Sequence, residues 1–290
     1  MSAGLDQNHV RRAFGRAADS YEEHAVLQAE VGLRLRERLD GEDFVPQRVL
    51  DVGCGPGTGS AALRERFADA DILALDLALP MLHAATRRAG TPPAFARVAG
   101  DAQALPLADA SVDLVHSNLC LQWCEDPGLA LAEFRRVLRP GGLLLFSTFG
   151  PDTLKELRAA FAAIDRTPHV SRFVDMHDIG DALLVSGFRD PVLERDDFVL
   201  TYTDARTLMR ELRAIGATNA DTQRARALTG KAHLARVVEA YETFRVDGVL
   251  PATYEVVYAQ AHAPEPGQPR RERGVDVATF PIERLRGSRR

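Results

Sequence analysis

The sequence has 290 residues, a length that suits one α/β domain with an appended segment. Hydrophobic residues make up 46% and charged residues 27%, a composition that excludes disordered, collagen-like and coiled-coil chains. The net charge of −5 argues against a nucleic-acid partner bound through phosphate neutralisation.

The sequence also contains no signal for membrane insertion. No apolar run reaches the roughly 18 residues of a bilayer span, and the first residues lack a secretory hydrophobic core. Cys54, Cys120 and Cys124 form neither an even disulfide set nor a metal-binding spacing, and core packing is the favoured role for Cys120 and Cys124. We therefore expect a cytoplasmic protein with no membrane partner and no metal site.

The first 45 residues have the spacing of helices with one buried face. Val10, Phe14, Ala17 and Tyr21 follow one another at intervals of three and four residues. This pattern predicts an N-terminal helical segment at 1–45 that covers the active site.

Strand-like and helix-like runs then alternate. This alternation predicts crossover units and a doubly wound, Rossmann-like parallel sheet with helices on both faces and ligands at the carboxyl ends of the strands. The expected core spans 46–150, an acceptor-side helical insertion with the remaining sheet spans 151–262, and a basic, disordered tail spans 263–290. The predicted strands are Arg48–Val52, Ile72–Asp76, Ala94–Ala99, Val112–Ser117 and Leu143–Thr148, and the predicted helices are Ser60–Phe67, Pro80–Arg88 and Pro127–Leu138.

A glycine-rich loop, Gly53-Cys54-Gly55-Pro56-Gly57-Thr58-Gly59, follows the first predicted strand. A dinucleotide-binding loop requires glycine at the position of Thr58, which disfavours a dinucleotide-dependent oxidoreductase. A phosphate-binding loop requires a lysine that is absent here, so hydrolysis of nucleoside triphosphates is excluded. Adjacent glycines still allow a ligand to approach the backbone closely.

The segment from Asp51 to Gly57 resembles the first motif of class I S-adenosylmethionine-dependent methyltransferases. Three further matches follow the next strands, and the resemblance covers 48–149. It implies that S-adenosylmethionine is the cofactor and that each strand end contacts one part of it. The implied contacts are the loop residues Asp51, Gly53, Gly55 and Gly57, then Asp76 with Leu77 at the ribose, Asp101 with Ala102 at the adenine, and Asn118 below the methionine end.

Stretches outside this core are similar to the malonyl-acyl-carrier-protein O-methyltransferases of biotin synthesis. The resemblance implies methyl transfer to the free carboxylate of malonyl-acyl-carrier protein or malonyl-coenzyme A, which primes pimeloyl synthesis. Alternatives are a methyltransferase for a quinone or other small molecule, with His116 or His24 as general base, and a non-catalytic cofactor-binding assembly factor. The similar stretches are Phe14–Tyr21 with His24 and Gln28, Ser117–Trp123, Arg172–Asp181 and Leu250–Val256.

A malonyl carboxylate is ionised at neutral pH and needs no general base, so catalysis depends mainly on positioning. Tyr21 is the first candidate to hold it, although the same tyrosine could simply pack against the core. Arg172 with His177 is the second candidate, since a guanidinium suits a carboxylate. For these two the alternatives are a surface arginine and a helix-capping histidine.

The sequence also predicts a surface for an acidic carrier protein. A helix over Asp204–Ile215 would present Arg206, Arg210 and Arg213 on one face. Arg224, Arg226 and Lys231 could extend this face, and the basic tail after Pro264 is an alternative docking surface. A solvated face paired with neighbouring acids, such as Glu211, is the competing interpretation.

Overall fold

The computed structural model of the chain describes residues 4–41, 44–224, 230–265, 270–272 and 275–277. The helices are α1 (Gln7–Ala17), α2 (Tyr21–His24), α3 (Val26–Glu37), α4 (Thr58–Arg66), α5 (Leu79–Ala89), α6 (Pro127–Val137), α7 (Lys155–Ala162), α8 (Met176–Val185), α9 (Ala205–Ala214) and α10 (Lys231–Glu242). The strands are β1 (Arg48–Val52), β2 (Asp71–Asp76), β3 (Ala96–Ala99), β4 (Val112–Asn118), β5 (Leu138–Phe149), β6 (Arg189–Tyr202), β7 (Leu250–His262), β8 (Arg270–Glu272) and β9 (Val275–Val277).

Seven strands form one sheet in the order β3-β2-β1-β4-β5-β7-β6. The five strands from β3 to β5 are parallel, whereas β7 runs antiparallel to both β5 and β6. The direction of strand succession reverses between β1 and β4. In doubly wound sheets a crevice opens at this point, at the carboxyl ends of the strands, and it is the usual ligand site.

The sheet buries apolar side chains on both faces, because successive residues of a strand point to opposite sides. On β4, Leu114 packs into one core cluster and Val115 into the other, and Leu145 and Phe146 of β5 are divided in the same way. One cluster lies against α3, α4, α5, α7 and α10, and the other lies against α6 and α8. The predicted Rossmann-like fold with helices on both faces is therefore confirmed.

The predicted helical prelude is present as three helices. The Asp6 side chain begins α1 by accepting a hydrogen bond from the backbone N–H of His9 (2.9 Å), and Val10 and Ala17 are buried. The first helix ends at Ala17, so Tyr21 starts a separate turn instead of continuing one long helix. Contacts with α5 and α9 hold this segment across the carboxyl edge of the sheet.

The core elements lie close to their predicted positions, with shifts at their ends. The strand Arg48–Val52 is observed as predicted, and the helix expected from Pro127 ends one residue earlier than Leu138. The last parallel strand begins at Leu138 instead of Leu143, because the chain passes through Gly141 at a φ of 73° and continues extended.

Two features differ from the expectation of a purely parallel sheet followed by a disordered tail. β6 and β7 add an antiparallel pair at one edge, where the alternating exposure of β6 reflects its position as the edge strand. Within the predicted tail, β8 and β9 pair in antiparallel fashion, because only two residues separate them. Residues 266–269, 273–274 and 278–290 of this tail lie outside the described residues. None of the described helices is both long and apolar enough to cross a membrane.

Candidate active site

The carboxyl ends of β1, β2, β3 and β4 meet at one cavity beneath α1 and α2, which we call the central cavity. It brings together eight of the residues that the sequence assigned to the site, namely Tyr21, Gly53, Gly55, Asp76, Leu77, Asp101, Ala102 and Asn118. Its other lining residues include Phe14, Met81, Cys120 and Trp123.

The glycine loop owes its shape to hydrogen bonds with the end of the neighbouring strand. The backbone N–H groups of Gly53 and Cys54 both donate to the carbonyl of Leu75 (2.8 and 3.0 Å). Gly53 and Gly55 have φ values of 70° and 54°, a region that disfavours other residues. A Cβ on Gly53 would lie 2.5 Å from Cys120 Sγ, whereas a Cβ on Gly55 would meet no protein atom within 4 Å. The loop therefore packs tightly at Gly53 and opens at Gly55.

Asp76 connects the two loops that flank the central cavity. The backbone N–H of Gly55 donates to Asp76 Oδ2 (2.9 Å), and that of Ala78 donates to Asp76 Oδ1 (2.7 Å). Burial raises the pKa of Asp76 to about 6, although these two N–H donors favour the ionised form. Each carboxylate oxygen keeps a second lone pair for a ligand.

Asp101 and Asn118 lie at the ends of the next two strands. Asp101 Oδ1 accepts a hydrogen bond from the backbone N–H of Gln103 (2.9 Å), which shapes the turn around Ala102. The Asn118 amide donates to the carbonyl of Gln28 (2.9 Å), and its oxygen accepts from Ser147 Oγ (2.8 Å). Asn118 therefore ties α3 to the sheet while it lines the cavity.

Asp51 and Gly57 do not line the central cavity, and their contact with the cofactor stays a prediction. Asp51 is buried below the loop, where it accepts hydrogen bonds from Ser60 Oγ (2.6 Å) and His116 Nδ1 (2.8 Å). Gly57 has a φ of 85° and starts α4, and a Cβ there would lie 2.9 Å from the ring of Phe95. Both residues shape the loop from behind.

A second cavity, which we call the flanking cavity, lies on the other side of the glycine loop. It shares Tyr21, Gly53, Gly55 and Asn118 with the central cavity, so the two are continuous around the loop. It also contains Arg36 of α3 and the buried ring of His116, whose Nε2 has no hydrogen-bond partner among the described residues. Asp51 lines this cavity as well.

Arg36 is the one cation that lines the flanking cavity within the described ranges. Burial lowers the pKa of its guanidinium, and the Asp51 charge acts in the opposite direction. No carboxylate of the described residues forms an ion pair with it, since Asp51 is engaged by Ser60 and His116. Nothing in the helical spacing of the sequence distinguished Arg36 from its charged neighbours Arg34 and Arg38, which form surface ion pairs.

Tyr21 lies where the covering helices meet both cavities. Its ring packs with Ala18, Ala78 and Met81. Among the described residues, no hydrogen bond involves its hydroxyl group. Burial, with the Asp76 carboxylate as the second cause, raises the pKa of this hydroxyl well above its usual value. Tyr21 is therefore a neutral hydrogen-bond donor at any pH at which the protein functions.

Arg172 and His177 are not brought to the central cavity. Arg172 is exposed at the edge of an outer cavity, together with Gln122 and Thr148, and this outer cavity shares Cys124 with the central one. His177 has an 87% exposed side chain and bonds to Asp175, the residue that caps α8. The structure therefore places His177 at the start of a helix and not at the central cavity, and its role in the site stays a prediction.

The three cysteines are free, and Cys54 and Cys124 are buried. Burial raises the pKa of Cys54, and a hydrogen bond with Cys120 together with burial raises that of Cys124. Neutral thiols of this kind are poor nucleophiles and poor metal ligands.

Comparison with known proteins gives concordant results. A family model described as "Methyltransferase domain" matches residues 50–146. The malonyl-[acyl-carrier protein] O-methyltransferase of Xylella fastidiosa (strain M23) is 51% identical over 287 residues, which cover 98% of this chain and 97% of that protein. The enzyme of the same name from Methylovorus sp. (strain MP688) is also 51% identical, over 90% of each chain.

Solved structures share the fold at much lower identity. The YcgJ protein from Bacillus subtilis aligns with a TM-score of 0.55 and 19% identity, over 81% of this chain and 98% of that one. Phosphoethanolamine N-methyltransferase 2 of Haemonchus contortus, solved with S-adenosyl-L-methionine, has a TM-score of 0.55 and 19% identity, over 87% of this chain and 57% of that one. At this identity the likeness establishes the fold only.

The position of Asp51 leads to a prediction about stability. Replacing Asp51 by Ala leaves the buried Ser60 hydroxyl and His116 imidazole without partners, each at a cost of about 1–3 kcal/mol. The free energy of unfolding, measured with urea, should therefore fall by at least about 1–3 kcal/mol. Asp69→Ala changes an exposed aspartate and is the control, for which we expect little change. An Asp51→Ala protein as stable as the unaltered chain would contradict this structural role.

Proposed function

The chain belongs to the malonyl-[acyl-carrier protein] O-methyltransferase family, and we propose that its central cavity binds S-adenosylmethionine and the malonyl group side by side. The enzyme then makes the methyl ester of the distal carboxylate of a malonyl thioester. The observation that carries this proposal is the meeting of Gly55, Asp76 and Asp101, from three strand ends, at one cavity beneath Tyr21.

The residues of the cavity suit the cofactor in polarity and in the open space that they leave at Gly55. The loop leaves an open space at Gly55, which a side chain would fill and which a ligand can occupy instead. Asp76 can accept hydrogen bonds from the two ribose hydroxyls through its free lone pairs, while Leu77 and Ala102 provide apolar walls and Asp101 an acceptor for the adenine. We place the amino-acid end of the cofactor towards the flanking cavity, where the Arg36 guanidinium would meet its carboxylate.

The chemistry requires positioning and exclusion of water, and this chain supplies both. When bound, S-adenosylmethionine supplies an activated methyl group, which the carboxylate oxygen takes as the carbon–sulfur bond breaks and its electron pair passes to sulfur. The carboxylate is already ionised, so no side chain needs to remove a proton. Tyr21 donates a hydrogen bond that orients the carboxylate without neutralising it. Phe14 and Trp123 pack edge to face, with their ring centroids 5.1 Å apart, and exclude water from the site.

One assay tests the activity and the role of Tyr21 together. We expect the purified chain, given labelled S-adenosylmethionine and malonyl-acyl-carrier protein, to produce a base-labile methyl ester. Tyr21→Phe keeps the ring packing and removes only the donor, so turnover should fall while the affinity for S-adenosylmethionine stays the same. Cofactor binding without any ester would instead identify an assembly factor, and a fully active Tyr21→Phe enzyme would make the tyrosine a packing residue.

The raised pKa of Asp76 predicts that cofactor affinity depends on pH. The ionised carboxylate accepts both ribose hydroxyls, so affinity is complete above the pKa of about 6 and declines as the pH falls through it. The loss should approach about tenfold per pH unit below 6. The other groups that act on this carboxylate are the Asp51 charge, which raises its pKa, and the backbone N–H of Leu77, which lowers it. The nearby Tyr21 hydroxyl stays neutral throughout.

Calorimetric titration with S-adenosylhomocysteine between pH 5.5 and 8 measures this dependence. Asp76→Asn should bind more weakly by about 1.5–3 kcal/mol and lose the pH dependence. Asp101→Asn is the matched control and should keep it. An affinity of the unaltered, folded chain that stays constant over this range would exclude Asp76 as the ribose ligand.

The carrier protein is proposed to dock on α9. Arg206, Arg210 and Arg213 are all exposed on this helix, which Asp204 caps by accepting a hydrogen bond from Thr207 N (3.0 Å). Glu211 does not pair with these arginines in the described part of the chain and instead acts on Tyr202. Ser20 Oγ donates to the carbonyl of Ala214 (3.1 Å), so α9 lies directly beside the covering helices.

The expected extension of this face is only partly present. Arg224 forms an ion pair with Asp6 (3.0 Å) and is mostly buried, so it does not contribute to the docking face. Lys231 is exposed at the start of α10, and Arg226 lies outside the described residues.

Charge reversal on α9 tests this docking face. The triple variant Arg206→Glu, Arg210→Glu and Arg213→Glu should raise the KM for malonyl-acyl-carrier protein and reduce its dependence on salt, because charges on the surface chiefly speed association. The KM for malonyl-coenzyme A should change little, and the corresponding triple lysine variant should behave like the unaltered enzyme. Equal losses on both substrates would place the docking surface elsewhere.

A further inference from the structure

Three potential metal ligands, two of them four residues apart and the third distant in the chain, converge away from the central cavity. Asp165 and His169 follow α7, and His233 lies in the first turn of α10. His169 Nε2 is 3.0 Å from Asp165 Oδ1, and His233 Nε2 is 3.1 Å from Asp165 Oδ2. The three ligand atoms all lie within 4.8 Å of one another.

The hydrogen bonds of the described residues do not account for this arrangement. His169 bonds to Asp165, but His233 Nε2 is buried and lacks a hydrogen-bond partner, although it lies close to the same carboxylate. A buried, unpaired imidazole nitrogen is costly unless something else engages its lone pair. A divalent cation between the two rings and the carboxylate would engage all three groups at once.

The geometry and chemistry of the three ligands fit zinc. Zinc binds imidazole nitrogen at about 2.0–2.1 Å and carboxylate oxygen at about 2.0–2.2 Å, and tetrahedral sites with three protein ligands add a water. The two ring nitrogens lie 3.0 and 3.1 Å from oxygens of the one carboxylate, so small side-chain movements would make room for an ion bound by all three groups. The three side chains are 28, 16 and 29% exposed, which leaves access for the water ligand.

Neighbouring groups support the ligand orientation. The ring of His169 stacks on Phe161 with a centroid distance of 4.0 Å, which holds its Nε2 towards Asp165. Asp165 also accepts a hydrogen bond from the backbone N–H of Thr167 (2.7 Å). Arg158 lines a cavity together with Asp165 and His169, but its guanidinium donates to the carbonyls of Pro151 and Thr153.

We propose that Asp165, His169 and His233 form a zinc site that clamps the segment after α7 to α10. The bound ion would fix the position of His169, and with it the start of the segment that carries Arg172. His169 also lines a cavity with Gln28, Trp123 and Phe149. The site does not depend on the proposed methyl transfer, since it shares no residue with the central cavity.

Metal titration of the intact chain, freed of any histidine tag and stripped by a chelator, tests the proposal. We expect one equivalent of Zn²⁺ per chain after dialysis, a higher Tm with Zn²⁺, and a tetrahedral absorption spectrum with Co²⁺. His169→Gln and His233→Gln should each lose stoichiometric binding and the Co²⁺ spectrum. His83→Gln, which changes an exposed histidine on α5, is the control and should keep both.

Circular dichroism first establishes that each variant is folded, and Asp165→Asn provides a third ligand change if one histidine variant is not. Substoichiometric binding to the unaltered chain would overturn the proposal. Binding that persists in folded His169→Gln and His233→Gln proteins would overturn it as well, because the metal would then lie on other residues.

Discussion

The two hydrogen bonds that Asp76 accepts hold the ligand-binding edge of the sheet together. One carboxylate oxygen binds the N–H of Gly55 in the loop after β1, and the other binds the N–H of Ala78 after β2. This connection adds to the hydrogen bonds between the glycine loop and Leu75, and it helps to hold a loop that passes through three residues with positive φ. The same carboxylate is desolvated, and its raised pKa shows that burial opposes its charge. A ligand with two hydroxyl groups would donate hydrogen bonds that compensate for the lost hydration of this carboxylate.

Buried polar contacts behind the loops keep this edge in place. Asp51 binds Ser60 and His116 directly below the glycine loop, and Asn118 connects Gln28 of α3 with Ser147 of β5. These contacts couple the covering helices to the sheet, so the position of Tyr21 depends on the same network as the loop. Asp51 thus supports the glycine loop from below while it lines the flanking cavity.

The sequence predicted the parts of the molecule that depend on local pattern. The strand at Arg48–Val52, the glycine loop and the acidic residue that ends β2 are all recognisable because each has a short, periodic or glycine-specific signature. Arg36 and the unpaired nitrogen of His116 could not be predicted, because their environment arises only when α3 packs on the loop. The sequence could not separate the two roles considered for His177, because a histidine at the start of a helix and a histidine in a site have the same local sequence pattern. Asp165 and His233 are separated by α8, β6 and α9, and no spacing rule connects them.

We propose that the malonyl group lies against Tyr21 and the cofactor across the Asp76 carboxylate. A crystal structure of the chain with S-adenosylhomocysteine and malonyl-coenzyme A tests this placement most directly. We expect both ribose hydroxyls on the Asp76 carboxylate and the malonyl carboxylate within hydrogen-bond distance of the Tyr21 hydroxyl. A ribose bound away from Asp76, or a malonyl carboxylate held by Arg172 in the outer cavity with Tyr21 unengaged, would contradict it.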